Sequence, residues 1–232
     1  LIAGDVFDRG EKVTECLWLI YRLEQEAVKS GGRVHYLMGN HELMVLRGDL
    51  RYVAEKYTEG IVQKGRISYD RLFGEQTEPG RWLRTKNAIV IINGILFVHG
   101  GISPELIRHH KNITDINRTV RENLVLAPYK KLLGQEEMFV YNEFGPLWYR
   151  GFFVDRDSPQ LTELQIEDIL QFFGAEAVVV GHSETDSVMS HYGGLVYSID
   201  VPAEELHSLQ ALLWEDGKFY RVKGDGEKKL LD

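Results

Sequence analysis

The segment Tyr36-Leu37-Met38-Gly39-Asn40-His41 is a short apolar run, stopped by a glycine and followed at once by an amide and an imidazole. An apolar run of that length ended by a turn former predicts a buried strand over Val34 to Met38. Upstream, Val13 to Ser30 places Val13, Leu17, Leu19, Ile20, Leu23 and Ala27 at helical spacing before Gly31-Gly32. Before that helix, Leu1-Ile2-Ala3 is another apolar run, closed by Gly4-Asp5. Strand, helix and strand in that order predict a parallel α/β unit. The same punctuation returns downstream, in Leu96-Phe97-Val98-His99-Gly100-Gly101 and in Val178-Val179-Val180-Gly181-His182. Carboxyl ends of strands in such sheets converge on the ligand-binding edge. Glycine there permits a tight turn and close approach of backbone to an ion or anion. One carboxylate, one amide oxygen and two or three imidazoles form a donor mixture that manganese, iron or zinc accepts. Any one of these strand ends, taken alone, is more often a plain turn; turn chemistry does not account for all four together.

Composition bounds the answer without deciding it. A chain of 232 residues can bury a substantial core, and its single Cys16 excludes an internal disulfide or a multi-cysteine zinc site. The formal charge of −8 repels phosphate backbones, which argues against nucleic acid as a partner. No apolar run approaches the roughly 18 residues of a membrane-spanning helix. Neither a Walker loop nor G-x-S-x-G occurs. A single α/β domain over 1–232 is expected, with a partly helical insertion at about 43–85. Within it, Leu43 to Tyr57 reads as a helix. Further expectations are a hairpin turning at Asn93-Gly94, a mainly helical 106–133 broken at Pro128, and an ordered aromatic loop over 138–157. A helix over Thr162 to Phe173 with Thr162 as N-cap follows, then strands Ala177 to Val180 and Gly194 to Ile199. A closing hairpin at about 209–222 turns at Asp216-Gly217, and the tail from Lys223 is expected to fray.

The motifs carry a resemblance. Gly4-Asp5-Val6-Phe7-Asp8-Arg9-Gly10 resembles the GDxxDRG motif of the calcineurin-like metallophosphoesterases, specifically the phosphoprotein phosphatases, and Gly39-Asn40-His41-Glu42 matches their GNHE motif. His99-Gly100-Gly101-Ile102-Ser103-Pro104 is similar to HGG(L/I)SP, and Gly181-His182 to the last histidine motif. The stretch from Gly39 to Val53 and Gly145-Pro146-Leu147-Trp148-Tyr149-Arg150 resemble the Shewanella-like branch. The implied fold is an α/β metallophosphoesterase sandwich, two mixed β-sheets flanked by helices.

By that resemblance, Asp5 bridges two metal ions, and Asn40, His99 and His182 complete the shell of one of them. Two divalent ions are expected in the full-length enzyme, manganese first, with iron or zinc as alternatives. They would hold a hydroxide for in-line attack on a phosphoprotein or small phosphomonoester. Arg9 would grip phosphate oxygens, and Arg150 is the second such candidate. His41 is the candidate general acid, with Asp8 fixing its tautomer. The plainer readings are a turn carboxylate for Asp8, a solvated charge for Arg9 and stacking on Trp148 or Tyr149 for Arg150. His41-Glu42 also opens like a zincin HExxH helix, but Val45 stands where the second histidine belongs. His35, His109, His110, His191 and His207 read as structural or solvated, and Asp200 reads first as structural.

The family's first motif, an Asp-x-His on a preceding strand, has no counterpart in the sequence, so the expectation is a fold lacking its first strand through truncation. Alternatives are a non-catalytic relic that binds phosphorylated ligands through Arg9 and Arg150, and a dinucleoside-polyphosphate hydrolase. One cysteine suits either cytoplasm or periplasm, and the sequence leaves oligomeric state and Ser/Thr-versus-Tyr preference open.

Overall fold

The computed structural model describes residues 1–59, 67–109, 112–124, 134–153, 159–202 and 209–231. Its main sheet has five strands: β1 (Ile89–Ile92), β2 (Ile95–Val98), β3 (Ala177–Val180), β4 (Met189–His191) and β5 (Val196–Ser198). Their spatial order is β1-β2-β3-β5-β4. The central pairs β2/β3 and β3/β5 are parallel, and the outer pairs are antiparallel. Asn93 and Gly94 take φ of 52° and 76°, the left-handed pair that a two-residue hairpin between β1 and β2 requires.

The parallel strands are continuous apolar runs because both faces are covered. Along β2, Leu96 and Val98 join the larger core while Ile95 and Phe97 face a smaller one. Along β3, Val178 and Val180 divide from Ala177 and Val179 in the same period of two. The larger core takes the helix Val13–Lys29 through Val13, Leu17 and Ile20 and the helix Glu163–Phe173 through Ile166, Ile169 and Leu170. Leu19 and Leu23, at helical spacing in the sequence, face solvent instead. The smaller core is roofed by a second, wholly antiparallel sheet of β6 (Gln210–Glu215), β7 (Lys218–Lys223) and β8 (Lys228–Leu231), with Phe219 stacked on Tyr197 at 3.9 Å between ring centroids.

Several sequence expectations change. The runs Leu1–Ala3 and Val34–Met38 reach the sheet only as single parallel bridges, Ile2 to Tyr36 and Leu37 to Asn87, because a glycine turns each chain away after a rung or two. The helix expected over Leu43 to Tyr57 is broken: Asn40–Leu46 stops where Gly48 adopts φ of 79°, and helix resumes only at 55–59. The tail beyond Lys223 does not fray: Lys223 N–H donates to the Glu227 carbonyl at 2.9 Å, and β8 then pairs with β7. The β4 strand was not expected. The Thr162 cap forms as read, its hydroxyl accepting from Gln165 N–H at 3.3 Å. Pro128, His110 and His207 lie outside the described residues.

A buried ion pair locks the helix Val13–Lys29 to the strand entry. Lys86 Nζ lies 2.6 and 2.8 Å from the two Glu24 oxygens and 4.4 Å from the Trp82 ring centre, while Trp82 Nε1 donates to Glu24 at 2.7 Å. Glu24→Ala would strand both donors, so a loss of about 3 kcal/mol is expected in chemical denaturation. A loss below about 1 kcal/mol, the range of exposed pairs, would contradict it.

Candidate metal centre and phosphate pocket

The register that pairs Val98 with Val180 sets the ends of β2 and β3 side by side, and Gly181 N–H donates to the His99 carbonyl at 2.8 Å. The His99 and His182 rings therefore lie 5.1 Å apart between centroids. The Ile2–Tyr36 bridge does the same for the other two strand ends, bringing Gly4-Asp5 against Gly39-Asn40. A Cβ on Gly4 would stand 2.6 Å from Gly39 N, so the approach admits only glycine.

Among the described residues, ligand atoms of Asp5, His99 and His182 all lie within 4.8 Å of one another. Asn40 joins them, its Oδ1 being 2.9 Å from His99 Nε2, while Asp5 Oδ2 is 3.2 Å from the same nitrogen. His99 Nδ1 contacts the Ala3 carbonyl at 2.7 Å, and since a carbonyl only accepts, that nitrogen carries a proton. A neutral His99 would thus point its Nε2 lone pair at two oxygens. Such a convergence of acceptors needs a positive charge: a divalent cation, which this donor set fits, or in its place the second ring proton of His99.

Electrostatics agree. Burial alone would raise Asp5, but the charge and hydrogen bond of His99 outweigh it and take the carboxyl down to about 2. Burial pushes His99 down, yet Asp5 more than offsets this and its pKa is raised. His182 falls to about 3, through burial first and then the positive charges of His99 and Arg150, and so stays a neutral donor.

His41 sits beside this cluster. Its Nδ1 is 2.6 Å from Asp8 Oδ2, its Nε2 is 4.0 Å from Asp5 Oδ2, and its backbone N–H donates to Asp5 Oδ1 at 3.1 Å. Burial lowers the imidazole, but the Asp8 hydrogen bond and the charges of Asp5 and Asp8 prevail, and its pKa is raised. The second Asp8 oxygen is buried with no hydrogen-bond partner, so the carboxylate is committed to His41.

A cavity of about 770 Å³ opens over the cluster, with Arg9, Tyr52, Trp148 and Arg150 in its wall. Gly100 N–H donates to the Pro146 carbonyl at 2.8 Å, which seats the loop of Trp148 to Arg150 there. Arg150 Nη1 donates to the His182 carbonyl at 2.5 Å and reaches Ser183 Oγ at 3.4 Å. Arg9 is exposed, its N–H bonded to the Tyr52 carbonyl at 2.7 Å and its guanidinium 5.2 Å from that ring. Asp200, expected to be structural, also lines the cavity, and burial followed by the Asp5 charge raises it.

All eight residues singled out in the sequence, Asp5, Asp8, Arg9, Asn40, His41, His99, Arg150 and His182, thus meet at one cavity or its floor. His191 instead bonds Ser198 Oγ at 3.0 Å, and His109 packs on Phe139. Two residues carry no role in the sequence reading. Tyr52 lies with its ring 5.4 Å from that of His41. Glu42 is fully buried and accepts from Gly39 N–H at 2.7 Å, and its place at the third helical position after a glycine is a capping-box signal.

A family profile described as calcineurin-like phosphoesterase matches residues 1–185. The fold is similar to that of the cold-active protein-tyrosine phosphatase of a psychrophilic Shewanella species, at 38% identity and a TM-score of 0.91, covering 99% of this chain and 68% of that one. Shewanella-like protein phosphatase 1 of Plasmodium berghei is 29% identical over 79% of the chain and 51% of its own length. An uncharacterised protein of Schizosaccharomyces pombe is 27% identical over 85% of the chain and 59% of its own length. The chain therefore spans between half and three fifths of these two curated relatives. No described helix is long and apolar enough to cross a membrane. The profile runs from the first strand end through the last, across all four donors that the fold gathers, and on that ground the chain belongs to the calcineurin-like phosphoesterases, a family that works with divalent metal ions.

Proposed function

We propose that this chain is a phosphoesterase domain that removes phosphate from phosphoproteins with divalent metal ions, manganese before iron or zinc. The observation that carries the reading is the convergence of Asp5, Asn40, His99 and His182 beside the His41–Asp8 pair. Those four residues would hold one ion, with Asp5 shared with a second. Divalent ions held there would neutralise phosphate charge and supply a nucleophile at neutral pH. Arg150 and Arg9 present guanidinium groups to the phosphate oxygens. His41 holds its Nδ1 proton against Asp8 and delivers the Nε2 proton to the departing oxygen.

The leaving group sits beside Tyr52, whose ring neighbours His41 and is flanked by Arg9 and Arg51. That platform suits the ring of a phosphotyrosine better than the short arm of a phosphoserine. Two peptides differing only in that residue, assayed with Mn²⁺, are expected to differ about tenfold in kcat/KM in favour of phosphotyrosine, and Tyr52→Leu should erase most of the gap. No metal-dependent turnover of either peptide would sink the reading, and faster cleavage of a dinucleoside polyphosphate would replace it.

A further inference from the structure

We infer that Glu42 is a positioning residue that shapes the Asp5 loop before any metal arrives. The inference rests on the reading of Asp5 as a metal ligand. Glu42 lines no part of the cavity, yet its carboxylate accepts five hydrogen bonds. Oε2 takes the N–H of Asp5 at 2.8 Å and of Gly39 at 2.7 Å. Oε1 takes the N–H of Val6 at 2.7 Å, that of Phe7 at 3.2 Å and the Tyr36 hydroxyl at 2.8 Å. One side chain thereby joins the loop carrying Asp5, the strand end before Gly39 and the first turn of the helix carrying Asn40.

The loop needs such an anchor. Asp5, Asp8 and Arg9 all adopt positive φ, 56°, 72° and 55°, a conformation that side chains with a Cβ resist. The reward is that three successive N–H groups, from Asp5 to Phe7, turn toward one acceptor, the concave arrangement that binds anions. Glu42 is that anion, built in. The joint has no slack: a Cβ on Gly39 would stand 2.3 Å from Asp5 Oδ1 and 2.7 Å from Glu42 Oε2. With the backbone of Asp5 fixed from behind, its carboxylate is aimed at His99, whose Nε2 lies 3.2 Å from Oδ2.

Glu42→Gln keeps the shape but turns an NH₂ toward backbone donors. Calorimetric titration of the metal-stripped proteins with Mn²⁺ is expected to show about 10- to 100-fold weaker binding in the variant, the usual cost of losing a residue that orients a ligand. Affinities within about twofold of each other, whatever the melting temperatures, would reduce Glu42 to a general stabiliser and overturn the inference. Amide exchange in the metal-free wild type gives a second reading that survives a variant unable to fold. Slow exchange at Asp5, Val6 and Phe7 supports a pre-formed loop, and fast exchange there, slowed only by Mn²⁺, overturns it. A wild-type chain that takes up no Mn²⁺ overturns the metal reading, and this inference with it.

Discussion

Replacing His41 with alanine is expected to slow hydrolysis of an alkyl phosphate by about 10²- to 10⁴-fold while changing that of a nitrophenyl phosphate far less. The asymmetry follows from where the proton goes. An alkoxide is too basic to leave unaided, whereas a nitrophenoxide departs without a proton. His41 is placed for that work because Asp8 holds its Nδ1 at 2.6 Å, leaving Nε2 on the side of Asp5. Asp8→Asn should show the same dependence on leaving group at smaller amplitude, since the imidazole remains but its orientation and basicity are no longer enforced. The measurement is kcat/KM across a series of leaving groups of graded acidity. A uniform loss across the series would assign His41 to binding or to the support of Asp5, whose Oδ2 lies 4.0 Å from its Nε2.

Replacing Asp5 with asparagine is expected to be at least as severe, and for a different reason. Asp5 contributes the one negative charge among four donors that are otherwise an amide and two imidazoles. Removing it leaves neutral ligands that gain little from a divalent ion in place of a proton. Loss of Mn²⁺ affinity should exceed about a hundredfold, the upper end for losing a residue that only orients a ligand. Metal content after dialysis and turnover with Mn²⁺ added back should fall together. Chelation of the wild type should give the same silent protein, but added Mn²⁺ should revive only the wild type. An Asp5→Asn protein that kept its metal and its rate would remove Asp5 from the centre.

The strand ends could be found in the sequence because two independent constraints met there. Parallel strands covered on both faces must be apolar throughout, and backbones that touch must lack a Cβ, so Ala177–Val180 and the glycines at 4 and 39 each left a local mark. The lengths of the elements left weaker marks. Whether Leu1–Ala3 forms several rungs or one depends on its neighbour, 34 or more positions away. The edge strands were missed for a related reason: Met189–His191 is short and Lys228–Leu231 begins with two lysines, so neither has the alternation of a half-buried strand. At the site, side chains able to donate to an ion were visible by chemical type. The roles of Tyr52 and Glu42 were not, because each depends on contacts formed across the fold, the Tyr52 ring beside His41 and the loop N–H groups on Glu42.

The proton that His99 shares with the Ala3 carbonyl crosses 96 positions of chain, and His182 lies further along again. The four donors thus come together only through long-range closures, which are the slow events of folding. No early intermediate built from local helices can hold the ion. During synthesis the centre has to wait until His182 has cleared the ribosome, long after Asp5 has done so. Metal uptake at these donors would therefore be a late signal, a report that the sheet has finished closing.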